Sequence, residues 1–518
     1  MTATLTSLLQ IDAPWTASNE NIVVGKDVLE LLSTSMYIDP MSIYREYIQN
    51  AADAIDEARD KGILRHGTPG RVDISIDEAN RTVRIRDNGI GVEQDAFESR
   101  LTAFGASKKR GSSARGFRGV GRLAGIGYCQ ELLFRSRAAG ESRVSELRWD
   151  CRKIKTTLRS SEFKEPLNDL VGQVVSRRRI DGREWPEHFF EVELRGVVRH
   201  RNDALLNQVA IQDYLAQTSP VAFSPTFRFG GQIVSEFSSH DVLGHVDIHI
   251  DGTKQVYRPH DNSFEITKNV KDSFSEVEFI RIPGVDGGIG AFGWVLHHGY
   301  KGAIPEGTRF RGLRMRVGNI QVGDSGLLAE LFTEPRFNAW SVGEVHVLDP
   351  RVIPNGRRDH FEQNVHYSNI LNHLAPVARE ISLRCRQSSM RRNWVRQFER
   401  HKAAAREKLA IVKQGSLGSE RRGELLEGVR DILGQMEKIA SKDMLRTEAA
   451  RTLNPALRRL RTVLIRSSKK VKKVRGVARL AGSKRRIYEE VFSLIYDCSQ
   501  NQSAAKTLID RILSEIKQ

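Results

Sequence analysis

The sequence predicts an α/β protein in three parts: a mixed helix-and-strand region over residues 1–225, a second α/β domain over 226–375, and a helical, basic region over 376–518. Three observations predict it. The stretch REYIQNAADAIDEARDKG, residues 45–62, has apolar residues at helical period, and RVDISIDEANRTVRIRDNGIG after it alternates with period two. Short alternating segments such as HVDIHI and GLRMRVGNIQV, set between glycine turns, follow the two prolines of SPVAFSPTF. Beyond about residue 375 Gly and Pro thin out, and GELLEGVRDILGQMEKIA and IYEEVFSLIYDC carry the period of helical hairpins or a short coiled coil.

Composition sets limits on the function. With 39% apolar and 28% charged residues, 518 residues suffice for several packed cores. No apolar run approaches the roughly 18 residues of a membrane span, and MTATLTSLLQIDAPW lacks the pattern of a secretory signal. The expectation is a cytoplasmic protein without membrane contact. Cys129, Cys151, Cys385 and Cys498 form no CxxC pair, so neither a zinc site nor a disulfide framework is indicated. The net charge of +17 has a local source: fourteen Lys or Arg and no acid between Arg451 and Arg486. That block can attract nucleic-acid phosphates or acidic protein surfaces, or be a solvated helix face.

In the first region Asp39 and Pro40 predict the start of a helix and Gly62 its end. Steps of four, three and four residues put Glu46, Asn50, Asp53 and Glu57 in one stripe, with Tyr47, Ile48, Ala51, Ala52, Ile55 and Ala58 mostly opposite. Alone, such a stripe is a solvated face. Two features downstream change its meaning. In RDNGIGV, Asp87 ends a strand, and Gly89 and Gly91 let backbone approach a ligand beside a carboxylate able to accept from an exocyclic amine. In ARGFRGVGRLAGIGYCQEL, Gly116, Gly119 and Gly121 open an apolar run and leave N–H groups free for phosphates. Between them LTAFGASKKRGSSARG has the composition of a mobile lid over residues 92–116, where Lys108 or Lys109 could reach phosphates.

These three elements, in this order, resemble the motifs of the GHKL ATPases, the family of gyrase-type topoisomerases, ninety-kilodalton heat-shock chaperones, histidine kinases and MutL-type proteins. The resemblance implies an N-terminal GHKL (Bergerat) α/β sandwich, a second domain of S5-like type, and ATP with Mg2+ as ligands. It implies Glu46 as the general base and Asn50 as the magnesium ligand, with Asp53 in support. Asp87 would read the adenine amino group beside Gly89 and Gly91, Gly116, Gly119 and Gly121 would hold phosphates, and Ser136 would stand near the base. Farther on, VHVLDPRVIPNGRRDHFEQN is similar to the middle segment of the ninety-kilodalton chaperones, which implies Arg358, or its neighbour Arg357, as an arginine reaching the γ-phosphate, with Asn355 shaping its loop. GASKKRG and GFRG also resemble the MutL lid, so the branch stays open.

The expected function is slow ATP hydrolysis driving a conformational cycle, chaperone-like, in a homodimer acting on a protein client. The alternatives are a DNA-linked clamp or remodeller of MutL- or MORC-like type using residues 451–486, and an ATP-switched component of a bacterial defence system. No HExxH, Ser-His-Asp pattern or phosphoacceptor helix supports a protease, a metalloenzyme or a histidine kinase.

Overall fold

The computed structural model describes residues 39–103, 121–160, 166–200, 202–238, 244–252, 254–469 and 482–516. Helix α1 (Ser42–Asp60) begins where Asp39 accepts from the Met41 N–H at 3.1 Å, and ends at Gly62, whose φ of +69° suits the left-handed turn. Its apolar side, including Ile43, Tyr47, Ile48, Ala52 and Ile55, is buried. That side packs on a sheet whose strands run in the order β5 (Val175–Asp181), β4 (Arg143–Asp150), β3 (Glu131–Arg137), β6 (Phe189–Arg195), β2 (Thr82–Asp87), β1 (Arg71–Asp77), β7 (Asp247–Ile250) and β8 (Lys254–Gln255).

The alternating residues become β1 (Arg71–Asp77) and β2 (Thr82–Asp87), an antiparallel hairpin pairing Ile74 with Ile85 and Val72 with Asp87. Because successive side chains point to opposite faces, Val83, Ile85 and Asp87 share the core-facing side of β2, while Arg84 and Arg86 take the other. The same alternation in β3 (Glu131–Arg137), β4 (Arg143–Asp150) and β6 (Phe189–Arg195) turns Leu132, Phe134, Leu147, Val192 and Leu194 inward. On the reverse face, Arg135 donates to Glu191 at 2.6 Å and also reaches Glu193 and Glu146, while Arg86 pairs with Glu191. At one margin lies β5 (Val175–Asp181), where Arg177, Arg178 and Arg179 are exposed.

The first sheet does not stop at the expected boundary of 225. HVDIHI, expected in the second domain, supplies β7 (Asp247–Ile250), which runs parallel to β1 with Val72 opposite Ile248, and β8 (Lys254–Gln255) follows it. A parallel partner lying so far away in the chain leaves no local signal in the sequence.

A second sheet is ordered β11 (Glu276–Pro283), β12 (Ile289–His297), β15 (Val342–Val347), β13 (Gly312–Val317) and β14 (Ile320–Val322), while β9 (Ser263–Thr267) and β10 (Val270–Ser273) form a separate two-stranded sheet. Its core holds a buried ion cluster. Glu344 takes Arg316 Nε at 2.8 Å and Arg258 on its other oxygen, and Arg316 and Arg258 donate onward to the carbonyls of Gln217 and Val221 at 2.6 and 2.9 Å. Burial alone would raise the Glu344 carboxyl, but the two guanidiniums hold it well below the usual range. Glu344→Ala would leave both cations buried without their carboxylate, at an expected cost of about 3–5 kcal/mol. A lowered urea midpoint at unchanged slope would show this, and an unchanged midpoint would refute it.

The chain divides into two compact units. One comprises the residues up to Glu265, Ser273–His298 and Ile304–Pro376, and so contains both large sheets; the other comprises Ile266–Asp272, Gly299–Ala303 and the chain from Val377 onward. Helices α2 (Gln94–Thr102), α3 (Cys151–Arg159), α4 (Leu167–Val174), α5 (Gln208–Thr218) and α6 (Gly230–Ser238) belong to the first unit, and the helical region begins earlier than the expected 376, since α7 (Val365–Gln414) continues through Pro376. In the second unit α7, α8 (Ser419–Ala440) and α9 (Asn454–Ser468) share a core built on Phe398, Leu409, Val429, Met436 and Leu457. Helices α10 (Gly482–Cys498) and α11 (Gln502–Glu515) close on Phe492 and Ile509. The basic block lies partly in α9 and at the start of α10, and its residues 470–481 are outside the described residues. No described helix is long and apolar enough to cross a membrane.

Candidate active site

The carboxyl-terminal end of β2, the polar side of α1 and a loop of the second sheet region enclose a cavity of about 970 Å³. Glu46, Asn50 and Glu57 of the predicted stripe line it, but Asp53 does not. Asp53 is buried beside the cavity instead.

The turn Gly121–Gly127 passes against Glu46. A Cβ on Gly121 would lie 2.2 Å from Glu46 Oε2, so a larger residue would displace the carboxylate from the cavity. Tyr47, next along α1, accepts from the Gly125 N–H at 3.0 Å and fixes the same turn. Gly116, Gly119, Lys108, Lys109 and most of the expected 92–116 lid lie outside the described residues; residues 94–102 of that stretch form helix α2 (Gln94–Thr102).

Asp87 stands at the inward row's end and lines the cavity, only 5% exposed. Burial pushes its carboxyl up to about 7, against the opposing N–H groups of Gly89 and Phe190, the former donating to Oδ1 at 2.9 Å. Both glycines of the turn are structural requirements. A Cβ on Gly89 would meet the Ala54 backbone at 2.7 Å, and Gly91, at φ +74°, has the Arg137 carbonyl 2.2 Å from where its Cβ would be. Gly91 lines the cavity and Gly89 does not. Ser136 does not line it either: wholly buried, its hydroxyl donates to the Phe189 carbonyl at 3.0 Å and accepts from Val92 N–H at 2.7 Å. Its work here is to hold the backbone that follows the Asp87 turn. Ile90, Phe134, Phe190 and Val192 add an apolar wall suited to a flat ring.

From the second sheet region, Pro354, Asn355, Gly356 and Arg358 reach the cavity, whereas Arg357 is not among the lining residues. Asn355 shapes the loop by accepting from Asp359 N–H at 3.2 Å and donating its amide to the Asp359 carboxylate at 2.6 Å. Arg45 of α1 ties the loop down by donating to the Arg357 carbonyl at 2.9 Å. Arg358 itself sits at φ +56°, an uncommon backbone setting for a residue with a side chain.

Three lining cations, Lys61, Arg100 and Arg122, were not anticipated from the sequence. Arg100 comes from α2 and Arg122 follows Gly121 directly, and burial together with Arg100 lowers the Arg122 pKa. The place of Arg122 behind a glycine loop was the available signal. For a divalent cation the donor set is oxygen only, with Asn50, Glu46 and Glu57 in one cavity. Among the described residues no three His, Cys, Asp or Glu cluster for a metal, so such an ion would complete its shell with phosphate and water oxygens, as magnesium does.

A family model described as histidine kinase-, DNA gyrase B-, and HSP90-like ATPase matches residues 40–174. The chain is similar to the Chaperone protein HtpG of Enterobacter sp., 32% identical over 142 residues, which are 24% of this chain and 23% of that protein. It is also similar to the HtpG of Fusobacterium nucleatum, 23% identical over 248 residues, 44% of this chain and 40% of the relative. With the HtpG of Clostridium acetobutylicum it shares 25% identity over 195 residues, 35% and 31% of the two chains. Each match spans less than half of the relative's length. Residues 40–174 thus match a GHKL ATPase domain, and the relatives add an Hsp90-like resemblance.

Proposed function

We propose that this cavity binds ATP with Mg2+ and hydrolyses it slowly, and that the cycle drives chaperone-like action on protein clients by a homodimer. The observation that carries the reading is that Glu46, Asn50, Asp87, Gly121 and Arg358, from four places in the chain, line one cavity. The similarity to proteins named chaperone protein HtpG supports the client side of it.

In this reading Asp87 accepts from the exocyclic amine of the base, which lies along the apolar wall. Glu46 takes the proton from the attacking water as its oxygen bonds to the γ-phosphorus and the bond to the leaving ADP oxygen breaks. The Asn50 amide oxygen holds magnesium, which when bound offsets charge on the phosphate oxygens. Arg358 meets the charge that grows on the transferred phosphoryl group. Since Arg358 rides on a loop of the second sheet region, turnover requires that loop to be seated, which makes Arg45 a positioning residue.

The test is steady-state phosphate release by the purified chain, with the Glu46→Ala protein as the blank for contaminating ATPases. Arg358→Ala is expected to lower turnover by roughly 10³-fold, the usual scale for such an arginine, with ATP affinity changed far less. Wild-type turnover in that variant would remove Arg358 from the chemistry. Stimulation by an unfolded protein supports the chaperone-like reading, whereas salt-sensitive stimulation by duplex DNA would replace it with the clamp.

A further inference from the structure

Between α7 and α9, inside the second compact unit, runs an open groove of about 480 Å³. Lys402, Arg406 and Lys413 line it from α7, and steps of four and seven residues keep the three on one side of that helix. Arg451 and Arg459 line it from α9 and the turn Ala449–Leu453 before it. No Asp or Glu lines the groove. Lys402 is engaged with Glu399 at 2.7 Å, whereas Arg406, Lys413, Arg451 and Arg459 are exposed, and among the described residues none of these four has an ion pair. Glu407, the one acid in α7 between Lys402 and Lys413, stands about 100° round the helix from Arg406. Glu448, the acid nearest Arg451 in the chain, takes Arg391 instead, and α9 contains no acid. The floor between the two banks is apolar, with Leu409, Ala456, Leu460 and Val463 resting on the core that α7, α8 and α9 share.

We propose that this groove is a docking site for an acidic amphipathic helix of a partner protein. Charge and shape each narrow the choice of occupant. The cations are spread over both banks and along about 16 Å of α7, which matches several carboxylates in a row and not the single head group of a small amphiphile. A nucleic-acid backbone would satisfy the banks but leave the apolar floor uncovered. An extended peptide would carry unpartnered N–H and C=O groups onto that floor, where the helical backbone on either side has its own groups already bonded. A helix brings its backbone satisfied. Laid along the groove, it puts an apolar stripe at i, i+3, i+4 and i+7 on Leu409, Ala456, Leu460 and Val463, and its acidic flanks meet the two banks.

Fluorescence anisotropy with the full chain tests this. The probe is a labelled synthetic helix with Leu at i, i+3, i+4 and i+7 and Glu at most other positions, compared with a scrambled peptide of the same composition, duplex DNA and a fatty acid. The amphipathic peptide should bind, and the scrambled one roughly 10-fold more weakly, because only the first has a continuous apolar stripe. Arg406→Gln combined with Arg459→Gln should weaken the amphipathic peptide roughly 10-fold, the scale of two exposed ion pairs, and added salt should act in the same direction. Ala456→Glu, which sets a carboxylate on the floor, should weaken it by at least as much. Should Ala456→Glu fail to fold, the double glutamine variant still decides, since its two side chains are exposed and without ion pairs and it should melt with wild type. Equal binding of the scrambled peptide, tighter binding of duplex DNA or of the fatty acid, no peptide binding, or binding indifferent to the double variant would each overturn the proposal. The nucleotide reading is tested separately: Arg406 and Arg459 lie in the unit that lacks the candidate active site, so phosphate release by the double variant should stay at the wild-type rate.

Discussion

Glu46→Ala is expected to lower phosphate release by roughly 10²- to 10⁴-fold, the range for loss of a general base, and to leave ATP binding intact. The two effects separate because of where the carboxylate stands. It touches the Gly121 turn and faces the cavity, with Arg45 Nε 3.9 Å from one oxygen. Nothing about that position calls for a contact with the ground-state nucleotide. A carboxylate beside a triphosphate repels it, so removing Glu46 leaves ATP affinity unchanged or tighter. Single-turnover measurement with pre-bound ATP distinguishes this from slow product release. A variant that turned over at the wild-type rate would take Glu46 out of its role.

Asp87→Asn is expected to remove nucleotide binding itself. The Asp87 Oδ1 already accepts from the Gly89 N–H. An asparagine would keep its oxygen there and turn its NH2 toward the amine of the base, donor against donor. An unsatisfied pair of that kind costs about 1–3 kcal/mol and also forfeits the charged hydrogen bond. The pH dependence has a definite sign. With the ligand-free carboxyl at about 7, binding favours the ionised form, so ATP affinity should fall as pH drops below that value, with a proton released on binding at neutral pH. Stability runs the other way. A pKa raised above its ordinary value of 3.8 contributes stability that is complete below that value and lost as pH rises through about 7. At pH 8 the charged side chain therefore costs the empty protein up to about 4 kcal/mol. Ligand-free Asp87→Asn should be the more stable protein at pH 8, and the gain should vanish near pH 4. Calorimetry showing unchanged ATP affinity, or melts showing no pH-dependent gain, would each contradict the assignment.

What could be read from the sequence was what is locally encoded. Helix α1 and the β1–β2 hairpin follow from periods of 3.6 and 2 and from Asp39 and Gly62 at the ends. The inward placement of Asp87 follows from the same alternation. Distant pairings were not legible: β7 joins β1 from about 175 residues away, an offset seen also in the bond from Ile76 N–H to Asp251. Side-chain partners were equally hidden. Ser136 was the right kind of residue in the right strand, yet its hydroxyl is committed to Phe189 and Val92. Asp53 shares the spacing of the stripe but not the cavity, because a helical stripe fixes an angle and not what stands opposite each turn. Pro376 sits within α7 without ending it.

The arginines of β5 bear on how copies of the chain meet. Among the described residues no strand pairs with β5 on its outer side, so its backbone N–H and C=O groups form an open template for addition of another strand. Three consecutive guanidiniums guard that template. Arg177 and Arg178 pair with Glu98 and Glu146 and Arg179 is exposed beside them, and such charged side chains along an open edge disfavour edge-to-edge addition of another strand. The charged margin thus directs any self-association to other surfaces of the molecule.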